Sequence, residues 1–325
     1  MTKTKIELLW DDELLQAAKR PLGRDGLRLT RIESISNIDI YAGIDDADRV
    51  VLAISVKKRP PAISLDSRTF DHFRQQRADG SWLLVLRLRG KGLEPVFGRL
   101  CQDLVDSTIS VIAEDELLGI FQARLQLWQK LFLGSNDGLL EVHQIKGLLA
   151  ELLILGKILQ RGLRDAAEIV AGWVGPRGAD QDFIYGSGSI EVKASAIGRR
   201  SVSISSLEQL DCVTPLALVV IALETSSPST TGAFSLNSLV NLLESQIVYS
   251  APALLTLRER LLEAGYVEHP YYDENWFNPV STQIFDVGEN FPRLTKKTVP
   301  PELTQAKYEL DITYLAAFRR NELPQ

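Results

Sequence analysis

The chain has 325 residues, enough for two domains or one elaborated one, and 45% of them are apolar against 24% charged, which excludes wholesale disorder. Its net charge of −6 speaks against a protein whose whole surface binds nucleic acid. Two cysteines 111 positions apart (Cys101, Cys212) and only three histidines (His72, His143, His269) exclude a disulfide framework and a Cys/His zinc cage.

The opening stretch carries Glu7, Asp11, Asp12 and Glu13 where a secretory signal would be apolar, so a cytoplasmic protein is expected. Period-two alternation over Leu27–Ile32 and Ile38–Tyr41 predicts strands, and the apolar run Val50–Val56, stopped by Pro60-Pro61, predicts a buried one. Asp79-Gly80 turns the chain into a further strand, Trp82–Arg89, and a short helix is expected between Pro95 and Ile112. Residues 1–112 therefore read as a mostly β domain. Between Lys57 and Lys91 stand nine basic residues against three acids, a block of +6 in an acidic protein. Lys57, Lys58, Arg59, Arg87 and Arg89 are its candidate DNA contacts, with Arg199 and Arg200 further on; a solvated face of scattered charge reads the same way in sequence.

Apolar residues at helical spacing over Asp115–Leu133, ended by Gly134–Gly138, predict a connecting helix within 113–138. A second long helix is expected over Leu139–Leu163; five charged residues in it exclude a membrane span. An α/β pattern follows in 139–325. Strands are predicted at Ile169–Val174, Asp182–Tyr185, Ile190–Ala194 and Leu216–Leu223, and a short helix near Ser206–Leu210. Helices are expected at Leu236–Ile247 and Pro252–Ala264, then strand-like segments at Thr282–Val287 and Tyr308–Tyr314. No repeat, phosphate-binding glycine loop, paired-histidine metalloprotease helix or Gly-x-Ser-x-Gly elbow is present.

One short pattern carries chemistry. Ile190-Glu191-Val192-Lys193-Ala194 is the chain's single acid-x-Lys triplet, where chance alone would give roughly one or two. In a strand, Glu191 and Lys193 share one face. Pairing across Gly186–Ser189 so that Tyr185 meets Ile190 places Ile184 opposite Glu191 and Asp182 opposite Lys193, and Asp182, Glu191 and Lys193 then converge. A register one residue different would send Asp182 away. Two carboxylates and an ammonium on one face suit a hard divalent cation and a phosphate; an amphipathic hairpin with a surface ion pair is the competing reading. Glu151 falls outside the polar arc of its helix, among Gly147, Leu148, Ile154 and Leu155, where a carboxylate is costly unless paired or bound to metal, although a helix-edge Glu reaching water fits the pattern too. Gln209, on the expected short helix, could orient Lys193 or touch a phosphate, and also fits plain surface. Trp82, Trp128, Trp173 and Trp276 read as core or interface residues.

The order helix with Glu, Asp, hairpin, Glu-x-Lys, Gln and buried strand resembles the PD-(D/E)XK nuclease superfamily, the restriction-endonuclease-like fold. More closely, the chain is similar to a bacterial family of PD-(D/E)XK-motif proteins found in restriction and phage-defence gene neighbourhoods. The features that carry this are Phe97–Val105, Trp128-Gln129, Gly147–Leu152, Asp182-Phe183, Ile190–Lys193, Phe291–Leu294 and Tyr308–Asp311, spread over nearly the whole length. The resemblance implies a nuclease-like domain at 139–325, with a mixed central sheet flanked by helices behind the β domain and linking helix, an α+β or α/β class overall. It implies metal ligation by Asp182, Glu191 and Glu151, catalysis by Lys193 with Gln209 near it, and Mg²⁺ (or Mn²⁺) as cofactor. The implied function is a DNA endonuclease hydrolysing phosphodiesters with metal-activated water in a restriction or phage-defence system. Expected partners are DNA and a methylase or ATPase of the same operon, with no membrane, and double-strand cleavage would call for a homodimer or transient pairing. The sequence departs from the superfamily name in one place: Gln181, not Pro, precedes Asp182, and Pro176 lies six residues upstream, which leaves Asp180 as a competing ligand. Some superfamily members have lost catalysis, so a non-catalytic scaffold of a defence complex is the alternative.

Overall fold

The structure, a computed structural model, describes residues 4–16, 26–32, 38–62, 69–90, 92–108, 111, 113–133 (without the side chains of 127 and 129–133) and 139–324. The glycine-rich stop at 134–138, Arg68 and Lys91 of the basic block, and the Gln129 side chain lie outside the described residues. The chain divides into two compact units, Met1–Leu139 and Leu140–Gln325.

In the first unit, helix α1 (Lys5–Gln16) precedes an antiparallel sheet of order β1-β2-β3-β5-β4. Its strands are β1 (Leu27–Arg31), β2 (Ile40–Asp45), β3 (Val50–Val56), β4 (Phe70–Gln76) and β5 (Trp82–Leu88). Strand β3 is central and almost wholly buried, as its unbroken apolar run requires. Strand β4 is the one the sequence pattern conceals. At the sheet edge it buries only Phe70, so FDHFRQQ shows no clean alternation. Helix α1 also goes unannounced, because its acids mask a buried stripe; Trp10 stacks on Phe97 of α2 (Glu94–Asp106) at 5.6 Å and donates its Nε1 hydrogen to the Val51 carbonyl at 2.9 Å. Helix α3 (Glu114–Leu133) closes the unit; Asp103 of α2 accepts hydrogen bonds from its Arg124 and Trp128.

The second unit opens with α4 (Val142–Arg161). Glu141 and Gln144 form a reciprocal capping box at its start, and Gly162 ends it at φ 60°, a left-handed conformation that glycine adopts without the Cβ clash. The segment expected as a strand at Ile169–Val174 is instead the helix α5 (Ala166–Ala171). Asp165 caps it by accepting the Ala167 N–H, and a single turn of apolar residues cannot be told from a short strand by periodicity. A five-stranded sheet follows, ordered β12-β10-β9-β7-β6, from β6 (Phe183–Tyr185), β7 (Gly188–Ala196), β9 (Leu216–Ser226), β10 (Trp276–Asp286) and β12 (Arg319–Arg320). It is mixed: β7 and β9 run parallel, and the other pairs are antiparallel. A two-stranded ribbon, β8 (Ser201–Ile204) with β11 (Tyr308–Asp311), packs Val202, Ile204 and Leu310 against Leu218, Val220 and Phe285 of the sheet. On the sequence's further tail motif, Tyr308 accepts the Leu294 N–H, and Arg293 donates to the Leu210 carbonyl at 2.6 Å. Helix α4 packs on β7 and on α6 (Leu236–Gln246), and α7 (Ala251–Glu263) packs on α5. Among the described residues, no helix is long and apolar enough to cross a membrane.

Candidate active site

The β6–β7 hairpin turns on Gly186-Ser187, so Tyr185 faces Gly188 and Phe183 faces Ile190. The expected pairing of Tyr185 with Ile190 is therefore corrected by two residues: the loop is centred one position earlier. A shift of two preserves side-chain parity, so Asp182 still lies on the face of Glu191, now opposite it rather than opposite Lys193. Strand β6 begins only at Phe183, and past its pairing with Ile190 the edge of β7 needs another acceptor. Asp182 supplies it: its Oδ2 accepts the Val192 N–H at 2.7 Å. The Asp182 carbonyl in turn accepts from the N–H groups of Val174 (2.8 Å) and Gly175 (3.0 Å). The Gly175-Pro176 turn, six residues upstream in sequence, is thereby fastened onto Asp182. The competing acid Asp180 is exposed.

Glu191 is buried to 1% exposure, with Oε1 on Lys193 Nζ at 2.7 Å and Oε2 enclosed without a partner among the described residues. Lys193 Nζ also donates to Gln209 Oε1 at 3.1 Å, and the same oxygen accepts the Ser205 N–H at 2.8 Å. The loop over 205–210 is a chain of bends and a turn, so the expected short helix at Ser206–Leu210 is not formed. Its local bonds explain why: Gln209 spends its side chain on the Ser205 backbone and on Lys193, while Ser206 Oγ accepts the Gln209 N–H at 3.3 Å. Gln181 Nε2 donates to the Glu208 carbonyl at 2.9 Å and ties this loop to the Asp182 segment.

Glu151, delivered by α4, accepts the indole N–H of Trp173 on its Oε2 at 2.8 Å. A Cβ placed on Gly175 would stand 2.8 Å from Asp182 Oδ1 and 3.2 Å from Glu151 Oε2, so these two oxygens flank one point where only glycine fits. Trp173 and Gly175 are the two residues sequence reasoning did not place in the site. Trp173 is core, fully buried, and it also holds a carboxylate. Their only sequence signal is nearness to Pro176.

The electrostatics are those of acids crowded without enough positive charge. Burial, then the nearby Asp182 charge, pushes the Glu151 carboxyl up to about 8 against the opposing pull of Trp173 and Lys193. Burial and the Asp182 charge likewise push Glu191 up to about 8, against Lys193. Burial raises Asp182 to about 6, held back by the Val192 N–H. Among the described residues, no three His, Cys, Asp or Glu side chains are already drawn to metal-ligand spacing. Glu191 Oε1 is turned to Lys193 and Asp182 Oδ2 to Val192. The donor set nonetheless fits a hard divalent cation: all-oxygen, carboxylate-rich, and holding in Glu191 Oε2 a buried acceptor that nothing among the described residues satisfies.

The candidate DNA contacts are dispersed. In the first unit, Lys57, Lys58 and Arg59 are exposed just beyond β3, with Arg59 over the Trp82 ring. Arg87 is half-buried and grips Asp71 through Nε (2.9 Å) and Nη2 (2.8 Å), while Arg89 reaches the same carboxylate at 3.6 Å. In the second unit, Arg199 and Arg200 are exposed on the turn between β7 and β8.

Residues 7–313 match the sequence model of a family described as "Putative PD-(D/E)XK family member, (DUF4420)". No curated protein and no solved structure matches the chain.

Proposed function

The chain belongs to that PD-(D/E)XK family, and from this premise we propose that it is a divalent-metal-dependent DNA endonuclease. The observation that carries the reading is the buried convergence of Asp182, Glu191 and Glu151 around Lys193, with one Glu191 oxygen left unsatisfied. Buried carboxylates without partners are costly, and proteins keep them where a ligand completes them. Asp182 Oδ1, Glu191 Oε2 and Glu151 are the groups that would hold Mg²⁺ or Mn²⁺. When bound, such an ion supplies Lewis-acid polarisation of a phosphate and lowers the pKa of water.

The chain's own residues do the rest. Trp173 fixes the orientation of Glu151, and the Val192 N–H fixes Asp182. Lys193, steadied between Glu191 Oε1 and Gln209 Oε1, has a third ammonium hydrogen to give to a phosphate oxygen or an attacking water. A nuclease free in the cytoplasm needs restraint, and an acidic chain has weak intrinsic attraction for DNA. We assign the first unit, with exposed Lys57, Lys58 and Arg59, to recruitment by DNA or by a protein partner of a restriction or phage-defence system.

Cleavage of supercoiled plasmid by purified protein tests the reading. Nicking or linearisation with Mg²⁺ or Mn²⁺ is expected, with none in EDTA and a loss of about a hundredfold or more in Lys193→Ala. Cleavage that persists unchanged in Lys193→Ala would sink it.

A further inference from the structure

The sheet face that carries Glu191 and Lys193 continues along β7 to Ser195, about 7 Å from Lys193 at the rise of a strand. Beside Lys193 and Ser195 stand Val220 and Ala222 of β9, and beside those Gln283 and Ser281 of β10. Here the face opens into a cleft of about 400 Å³. Three arginines line it, Arg199 and Arg200 from the β7–β8 turn and Arg319 from β12, and all three are exposed. Among the described residues, Arg199 and Arg200 form no ion pair; Arg319 donates from Nη2 to Gln283 Oε1 at 2.9 Å, which leaves its remaining N–H groups for another acceptor. Asp311 accepts from the hydroxyl and N–H of Thr313, and these bonds, helped by the Arg200 charge, hold its carboxylate below its usual value. Three positive charges thus meet in one cleft of a protein whose net charge is −6.

We propose that this cleft is a phosphate-binding subsite that seats the DNA backbone beside the phosphodiester being cut. The inference rests on the nuclease reading above and names a binding site that the reading does not need. Guanidinium forks match phosphate oxygens in pairs, and 400 Å³ is room for one nucleotide. Ser195 and Gln283 at the floor offer neutral hydrogen-bonding groups to the sugar or base. Because the cleft lies on the same strand as Lys193, one bound strand would run from the arginines to the carboxylates.

Fluorescence anisotropy with a labelled DNA duplex and a labelled single strand, in EDTA and in the full-length Lys193→Ala background, reads the cleft without turnover. Replacing Arg199 and Arg200 together by Gln is expected to weaken binding about tenfold or more and to flatten the slope of log affinity against log salt by about two; Arg319→Gln takes away about one more. Arg258→Gln, on α7, should change neither. All three arginines are exposed, so melting temperatures should stay at the parent value. DNA affinity and salt slope unchanged in the arginine variants would overturn the proposal, as would absence of DNA binding by the parent. So would calorimetry showing tight binding of a free mononucleotide that the arginine changes abolish while DNA binding stays intact, since the cleft would then be a small-ligand site. Plasmid cleavage by the wild type separates this from the nuclease reading. Cleavage with the arginines irrelevant removes the cleft alone; arginine-dependent DNA binding without cleavage under Mg²⁺ or Mn²⁺ removes the nuclease and keeps the cleft as a DNA site.

Discussion

Trp173 donates its indole hydrogen to Glu151 Oε2 at 2.8 Å, so a fully buried core residue also holds a carboxylate of the candidate site. Phenylalanine at 173 would keep most of the buried ring and remove only the donor. Trp173→Phe is expected to weaken divalent-ion binding about 10- to 100-fold, as changes to groups that orient a ligand do, and to cost about 1–3 kcal/mol for the lost hydrogen bond and cavity. Titration calorimetry with Mn²⁺ and thermal melting read the two effects separately. Unchanged metal affinity would show that Glu151 needs no orientation from Trp173.

Gly175 is not in a left-handed conformation, so what opposes alanine there is crowding rather than backbone strain. Its Cβ would crowd Asp182 Oδ1 at 2.8 Å and Glu151 Oε2 at 3.2 Å. Gly175→Ala should therefore lower cleavage about tenfold or more, because misplacing a reacting geometry by an ångström is costly, while the circular dichroism spectrum stays that of the parent. Full activity in this variant would place the metal away from Glu151 and Asp182.

The three raised carboxyls make a pH prediction for the metal-free protein. An acid whose folded pKa lies above its unfolded value binds more protons when folded, so stability falls as pH rises between the two values. For Glu191 and Glu151 that window runs from 4.5 to about 8, and for Asp182 from 3.8 to about 6. In EDTA the melting temperature should decline from pH 5 to pH 8.5, and added Mg²⁺ should restore it most at the alkaline end. His269, held below its usual value by burial, acts in the opposite direction near pH 6.5. Glu191→Gln, which removes one of the carboxyls, isolates their share: it should raise the metal-free melting temperature at pH 8.5 and flatten the decline. Equal melting temperatures of parent and variant at pH 8.5 would refute the crowding of charge.

Gln209 touches Lys193 and the Ser205 N–H through one oxygen. Gln209→Ala should lower kcat about tenfold with KM for DNA unchanged, and Gln209→Glu, which keeps the acceptor, should recover most of it. A rise in KM without a change in kcat would move Gln209 from positioning Lys193 to holding DNA.

Arg87 belongs to the basic block, but its guanidinium is engaged by Asp71 and lies 3.4 Å from Asp45. Arg87→Ala should cost about 1–2 kcal/mol, because two half-buried or buried carboxylates lose a partner. The same substitution at Lys58, exposed beyond β3, should leave the melting temperature unchanged. Equal melting temperatures for both variants would return Arg87 to the pool of free surface charge.

Glu191 and Lys193 were legible because a strand's period of two needs only local sequence. Asp182 joined them because parity survived a two-residue error in register. The helix α4 and the buried strands β3 and β9 were also readable, since long apolar periods outweigh local ambiguity. Short elements were not. The helix α5 read as a strand and the Gln209 loop as a helix, because one turn of residues carries too little pattern and a side chain such as Gln209 decides its backbone through long-range partners. The edge strand β4 was hidden for the related reason that an edge has little to bury.

What the sequence determined by itself was the chemistry available: an acid-x-Lys strand, an acid before its hairpin, a glutamate out of place on an apolar helix face, and no thiol or imidazole cluster to compete. Tertiary structure alone decided how that chemistry is held. Trp173 reaches Glu151, Gly175 lies between Glu151 and Asp182, and Arg319 meets Arg199 and Arg200 only after the chain folds. The physical reason is that local periodicity sets which face a side chain points to, whereas burial, the loss of water around a carboxylate and the partner it then finds depend on segments distant in sequence.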